Sequence, residues 1–270
     1  MQIKSLNLLI IKMVIVMHEI KINRNNLDTD LIVEKKEFKN KGKITKYSNN
    51  IKVEKVVFNS NNYTTIYFKD ITDKDNYKEV QKVFINNLKK YLKLKKDDKL
   101  LVVGLGNNKS TPDSLGPSTV ENILVTSYLF DLGDVDSNYS NVSKFSPNVK
   151  ANTGIETSNI IKSIIKNNNF TKIIVIDALK TNDFNRLVKT IQISDYGISP
   201  GSGIGNNRLE ISTNTMNIPI ISIGVPTVID INNNMIMTPT SIDYQIDKLS
   251  SLIGNGINIS LHKNFIRHNN

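Results

Sequence analysis

Two aspartates of this 270-residue chain stand where acid–base chemistry is possible. Asp177 ends the run Lys172-Ile173-Ile174-Val175-Ile176-Asp177, whose four consecutive apolar residues read as a strand buried on both faces. Its carboxylate should emerge at the edge of a buried sheet. Asp113 lies in Thr111-Pro112-Asp113-Ser114-Leu115-Gly116-Pro117, between the apolar strand Leu100–Gly104 and a helix opening near Pro117. Taken singly, Asp113 has the plain reading of a helix cap or turn former, and Asp177 that of an ion-pair partner. Together they say more, because both follow buried strands and both should face the same edge. Two carboxylates brought close cannot both ionise readily, so one keeps a proton. One can then take a proton from water while the other gives one to a carbonyl or leaving group.

Other candidates carry less. Gly104-Leu105-Gly106 follows a strand, but Lys109 stands where a dinucleotide fingerprint needs its third glycine. A tight turn explains the pair better. Ser199-Pro200-Gly201-Ser202-Gly203-Ile204-Gly205-Asn206 could bring backbone close to a ligand, with Gly201, Ser202 and Gly203 as candidate substrate contacts. A surface loop is its plain reading. No cysteine is present, which excludes thiolate nucleophiles and Cys-type zinc sites. His18, His262 and His268 lie near the two ends without matching partners, so a Ser-His-Asp triad or an H-E-x-x-H site is not expected. No metal and no cofactor is expected.

The net charge of +10 raises the question of nucleic acid. The densest basic run, Lys89 to Lys99, also contains Asp97 and Asp98 and reads as a solvated helix face with its exit loop. Tryptophan is absent and arginine scarce, so the side chains that fork onto phosphate or stack on bases are few. No direct nucleic-acid role is expected. The apolar stretch Leu8–Met17 carries Lys12 and is too short to span a bilayer, so no membrane partner is expected. Residues 1–16 are read as a start of translation placed too far upstream.

The elements that must position the aspartates follow from periodicity. Lys55–Phe58 and Tyr63–Phe68 read as strands joined by a turn at Asn59–Asn62. Glu79–Lys93 reads as an amphipathic helix, and a second helix runs from Pro117 through Leu129. Ile160–Ile165 marks a third, and Thr238-Pro239 opens a last one through Ile253. Thr190–Ser194 and Pro219–Gly224 are further strands. The alternation predicts a three-layer α/β fold with a mixed, mainly parallel sheet and helices on both faces. Ligands then bind beyond the carboxyl ends of the strands, which puts Asn107–Gly116 and the residues after Ile176 at the functional edge.

At these residues the chain resembles the germination protease family. The stretches Val102–Phe130 (VVGLGNNKSTPDSLGPSTVENILVTSYLF), Val175–Arg208 (VIDALKTNDFNRLVKTIQISDYGISPGSGIGNNR) and Ile218–Asp230 (IPIISIGVPTVID) carry the resemblance. Thr29–Glu34 (TDLIVE) is similar to an early motif of the family, and Met235–His262 also fits. The resemblance implies an endopeptidase that degrades small acid-soluble spore proteins at germination. It implies a zymogen cut near its N-terminus, a homotetramer, a cytoplasmic place in the developing spore, and a fold like that of hydrogenase maturation proteases. Its proposed catalytic aspartates map onto Asp113 and Asp177. Residues 1–27 are read as an N-terminal extension and propeptide, and 28–270 as one catalytic domain, shortened between 230 and 235 relative to the family. Two other readings stand beside this one: a degenerate relative that binds peptides without cleaving them, and a nucleotide- or phosphate-binding module using Gly104, Gly106 and the 201–205 loop.

Overall fold

The computed structural model describes residues 30–35, 42–133, 135–199, 209–231, 235–263 and 265. A short 3-10 turn, Ile32–Glu34, precedes strands β1 (Lys43–Lys46), β2 (Lys52–Phe58) and β3 (Asn61–Tyr67). Asn59 and Ser60 join β2 to β3 with φ of 48° and 65° respectively, both positive, as the tight turn of a twisted hairpin requires. Helix α1 (Lys74–Leu92) begins before the expected Glu79, because Asp73 caps it: the carboxylate accepts from the Asn76 amide at 2.7 Å.

Strand β4 (Lys99–Gly104) leads through a 3-10 turn (Thr111–Asp113) into α2 (Leu115–Glu121). The single helix expected from Pro117 to Leu129 is instead two, α2 and α3 (Ser127–Leu132). Three bonds pull the chain between them out of helix. Asn258 accepts from the Leu124 amide at 3.0 Å, the Thr126 amide donates to the Val142 carbonyl at 3.0 Å, and the Thr126 hydroxyl donates to the Ser140 carbonyl at 2.6 Å. Then come β5 (Asn141–Phe145), α4 (Lys150–Thr153) and α5 (Thr157–Asn168). Next are β6 (Lys172–Thr181), β7 (Thr190–Ser194), β8 (Gly197–Ile198) and β9 (Ile211–Ser212). The rest is α6 (Thr213–Met216), β10 (Ile220–Ile231), β11 (Met235–Met237) and α7 (Ile242–Leu261).

The main sheet has the order β1-β2-β3-β7-β10-β6-β4-β5, with β11 also paired to β10. Its pairs β10–β6, β6–β4 and β4–β5 are parallel, and the pairs from β1 to β10 are antiparallel. One face carries α1, α2 and α7 over Val102, Ile174, Ile176, Ile221 and Ile223. The other carries α5 over Leu101, Val103, Ile173 and Val175. The three-layer α/β arrangement with a mixed sheet is as expected; among the described residues three of its strand pairs are parallel, gathered in the half that holds the two aspartates, and five are antiparallel. The basic run behaves as expected of a solvated surface from Lys89 to Lys96.

Candidate functional site

The site is assembled at the carboxyl end of β4 and in the middle of β6. After β4 the chain turns sharply, with Gly106 at φ +112°. A Cβ on Gly106 would stand 2.0 Å from the Asp113 carbonyl oxygen and 3.1 Å from Asp113 Oδ1. One on Gly104 would stand 2.2 Å from the Gly116 carbonyl oxygen. Only glycine tolerates such approach. The open faces of both glycines are thus filled by the protein's own backbone, which leaves them no phosphate to cradle. The Ser199–Asn206 motif is different: Gly201, Ser202 and Gly203 lie outside the described residues.

Asp113 closes the 3-10 turn. Its amide donates to the Ser110 carbonyl at 2.8 Å, and its carbonyl accepts from the Asn107 amide at 2.9 Å. From across the cleft, the Thr227 hydroxyl of β10 donates to the Pro112 carbonyl at 2.6 Å. The turn is therefore tied to the sheet beside it.

Asp177 differs in place from its sequence expectation. It is not the end of a strand, because β6 runs on to Thr181 alongside an equally extended β10. Asp177 pairs in register with Gly224 of β10 and is buried at 6% exposure. Its Oδ1 accepts from the Ala178 amide at 2.9 Å, which fixes one oxygen of the carboxylate.

Asp113 and Asp177 line one cavity of about 560 Å³. The two residues picked from sequence thus line one cavity, Asp113 beyond the end of β4 and Asp177 within β6. The cavity wall also holds groups that sequence reasoning did not assign to a site: Asp30, Lys180, Tyr63, Tyr196 and Gln192. Burial pushes the Tyr63 phenol up to about 12, and a hydrogen bond with Glu210 pushes Tyr196 up to about 12 as well. Both remain neutral donors at ordinary pH. Lys180, 1% exposed, pairs with Asp230 at 3.3 Å. Among the described residues, no group of three or more His, Cys, Asp and Glu is placed to hold a metal ion.

Asp30 belongs to a segment strapped across the sheet. Asp30 Oδ2 accepts from the Lys180 amide at 2.9 Å. The Ile32 amide donates to Gln192 Oε1 at 2.9 Å, and Gln192 Nε2 donates to the Asp30 carbonyl at 3.3 Å. Glu34 accepts from the Thr181 hydroxyl and from the Asn182 amide, and it pairs with Arg186 at 2.9 Å. Leu31, Ile32 and Val33 are buried against Val56 and Leu179. The only sequence signal for this strap was the motif Thr29–Glu34, which marks the segment without revealing where it docks.

The fold and site define an α/β protein with two carboxylates in a cleft at the carboxyl edge of a mixed sheet. The model of the Germination protease family, a peptidase family, matches residues 11–233, and the chain belongs to that family. The chain is 47% identical over 176 residues to a germination protease of Geobacillus sp. (strain WCH70), covering 63% of this chain and 47% of that protein. It is 49% identical over 158 residues to one from Bacillus licheniformis, covering 58% and 42%. To one from Bacillus subtilis (strain 168) it is 46% identical over 175 residues, covering 62% and 48%. The chain thus spans about half the length of the curated relatives it matches. Among solved structures, a [NiFe] hydrogenase maturation protease HycI from Thermococcus kodakarensis KOD1 aligns with 63% of this chain and 98% of its own, at 15% identity and a TM-score of 0.38.

Proposed function

We propose that the chain is an endopeptidase in which Asp113 and Asp177 activate water against a peptide bond. The observation that carries this reading is their convergence on one cavity at the carboxyl edge of the sheet. One carboxylate accepts a proton from water as its oxygen attacks the scissile carbonyl. The other, protonated, donates to the leaving nitrogen as the C–N bond breaks. Membership of the Germination protease family supports peptide as the substrate. On that reading the substrates are small acid-soluble spore proteins and the enzyme works as a homotetramer in the cytoplasm of the forming spore. It is made as a zymogen that is cut before Asp28. Among the described residues, no helix is long and apolar enough to cross a membrane.

The test is cleavage of a purified small acid-soluble spore protein by the full chain and by a form beginning at Asp28, with Asp177→Asn as control. Cleavage chiefly by the shorter form, abolished in the control, is the expected result. Folded protein that binds the substrate without cutting it would move the reading to a peptide-binding relative.

A further inference from the structure

The edge of β6 beside Asp177 is built like an unfinished sheet. β4 stops at Gly104, opposite Ile176, and the last bond across this pair runs from the Leu105 amide to the Ile176 carbonyl at 2.8 Å. β6 continues through Ala178, Leu179 and Lys180 to Thr181, held on its other side by β10. The Ile173 amide donates to the Pro219 carbonyl, toward β10. Main-chain groups alternate sides along a strand, and the register shift of this pair falls within β10. The amides and carbonyls of Ala178 and Lys180 therefore face the side that β4 has vacated.

What meets these groups is informative. Neither amide has a strand partner. The Ala178 amide donates to the neighbouring Asp177 carboxylate and the Lys180 amide to the Asp30 carboxylate, each at 2.9 Å. No turn or loop amide among the described residues donates to the Ala178 or Lys180 carbonyl. Buried main-chain groups are rarely left this way unless something else pairs with them. The open side is the cavity itself, whose far wall is Gly106, Pro112 and Asp113.

We infer that this edge is a docking rail for the substrate main chain: an extended peptide adds to β6 where β4 stops, and Asp30 occupies one of its positions until it arrives. A peptide residue opposite Leu179 would donate its N–H to the Ala178 carbonyl and accept at its C=O from the Lys180 amide. That is the bonding of a parallel neighbour, so the peptide continues the ladder that β4 drops. The occupant is set by the chemistry of the rail, a donor and acceptors at strand spacing, and by the acceptor oxygen of Asp30 already seated at the donor. A chain so held passes between Asp177 and Asp113. Recognition through main chain asks for an extended, unfolded segment and is tolerant of side chains.

The inference rests on the endopeptidase reading, and the experiment separates the two. A synthetic peptide spanning the bond cut in the test above is the parent, used with whichever form of the chain cleaves. Analogues carry one N-methyl group at each successive backbone nitrogen. One position on the rail-facing side should raise KM about tenfold, the cost of one lost hydrogen bond and an unpaired acceptor, while its neighbours on the other side of the strand change it little. Asp30→Asn, which weakens the competing acceptor, should lower KM for the parent. A scan without alternation, or a KM unmoved by Asp30→Asn, overturns the rail while leaving the endopeptidase intact. A parent that is never cut overturns both.

Discussion

The two halves of the sheet end differently. In the antiparallel wing, β2 and β3 are joined by a two-residue turn and pair along their whole length, from Lys52–Tyr67 to Phe58–Asn61. In the parallel half, β4 stops opposite Ile176 while β6 and β10 run on to Thr181 and Ile231. A hairpin ties the ends of its strands together, whereas a crossover leaves each strand free to end where its loop begins. The hairpin therefore pairs the facing backbone of β2 and β3 along its length, while Tyr63 of β3 still reaches the cavity wall. The parallel half has an uneven edge, and the unevenness makes the cleft.

The difference can be broken at either half, and the size of the effect should follow the place. In the parallel half, Asp177→Asn should lower kcat by roughly 10²–10⁴-fold with an unchanged melting temperature, as should Asp113→Asn. Steady-state kinetics beside a thermal melt checks this. In the wing, Ile66→Ala, at a fully buried position, should cost about 2–5 kcal/mol by urea unfolding and leave kcat/KM of the folded enzyme unchanged. Gly106→Ala should harm both properties. It forces a side chain into positive φ and onto the Asp113 carbonyl, and the expected cost is on the order of 2 kcal/mol with a fall in kcat as Asp113 shifts.

A fourth expectation concerns pH and lies outside both halves. Burial pushes His262 down to about 4, and the residue is neutral in the fold. Because its folded value is lowered, its contribution to stability is complete above pH 6.5 and is lost as pH falls from 6.5 through 4. Unfolding at pH 7 and pH 4.5 should differ by on the order of 2 kcal/mol more in the native chain than in His262→Gln. The smallest effect is Thr227→Val, which removes the bond from β10 to the Pro112 carbonyl. It should cost about 1 kcal/mol of stability and loosen the Asp113 turn, read as a modest loss in kcat at constant KM.

Much of the framework was legible because burial writes itself into local pattern. The runs at Leu100–Gly104 and Lys172–Asp177 are apolar without alternation, and both are central parallel strands. Asp113 and Asp177 were legible for the same reason, as acids placed where such runs give way. The helix after Pro117 was misread, because what ends α2 is long-range: Asn258 and β5 take the bonds that helix would have used. The end of β6 was misread because Ala178–Thr181 extends only by pairing with β10, a neighbour far away in sequence.

By itself, then, the sequence determined the α/β class, the buried strands and the two acids that close their apolar runs, since apolar periodicity and turn chemistry act between near neighbours. Tertiary structure alone decided that both acids share one cavity, that Asp30 reaches the Lys180 amide, and that β6 outruns β4. Each of these depends on where strands remote in sequence stop beside one another. The hydrogen-bonding needs of the backbone settle such choices only once the whole sheet is assembled.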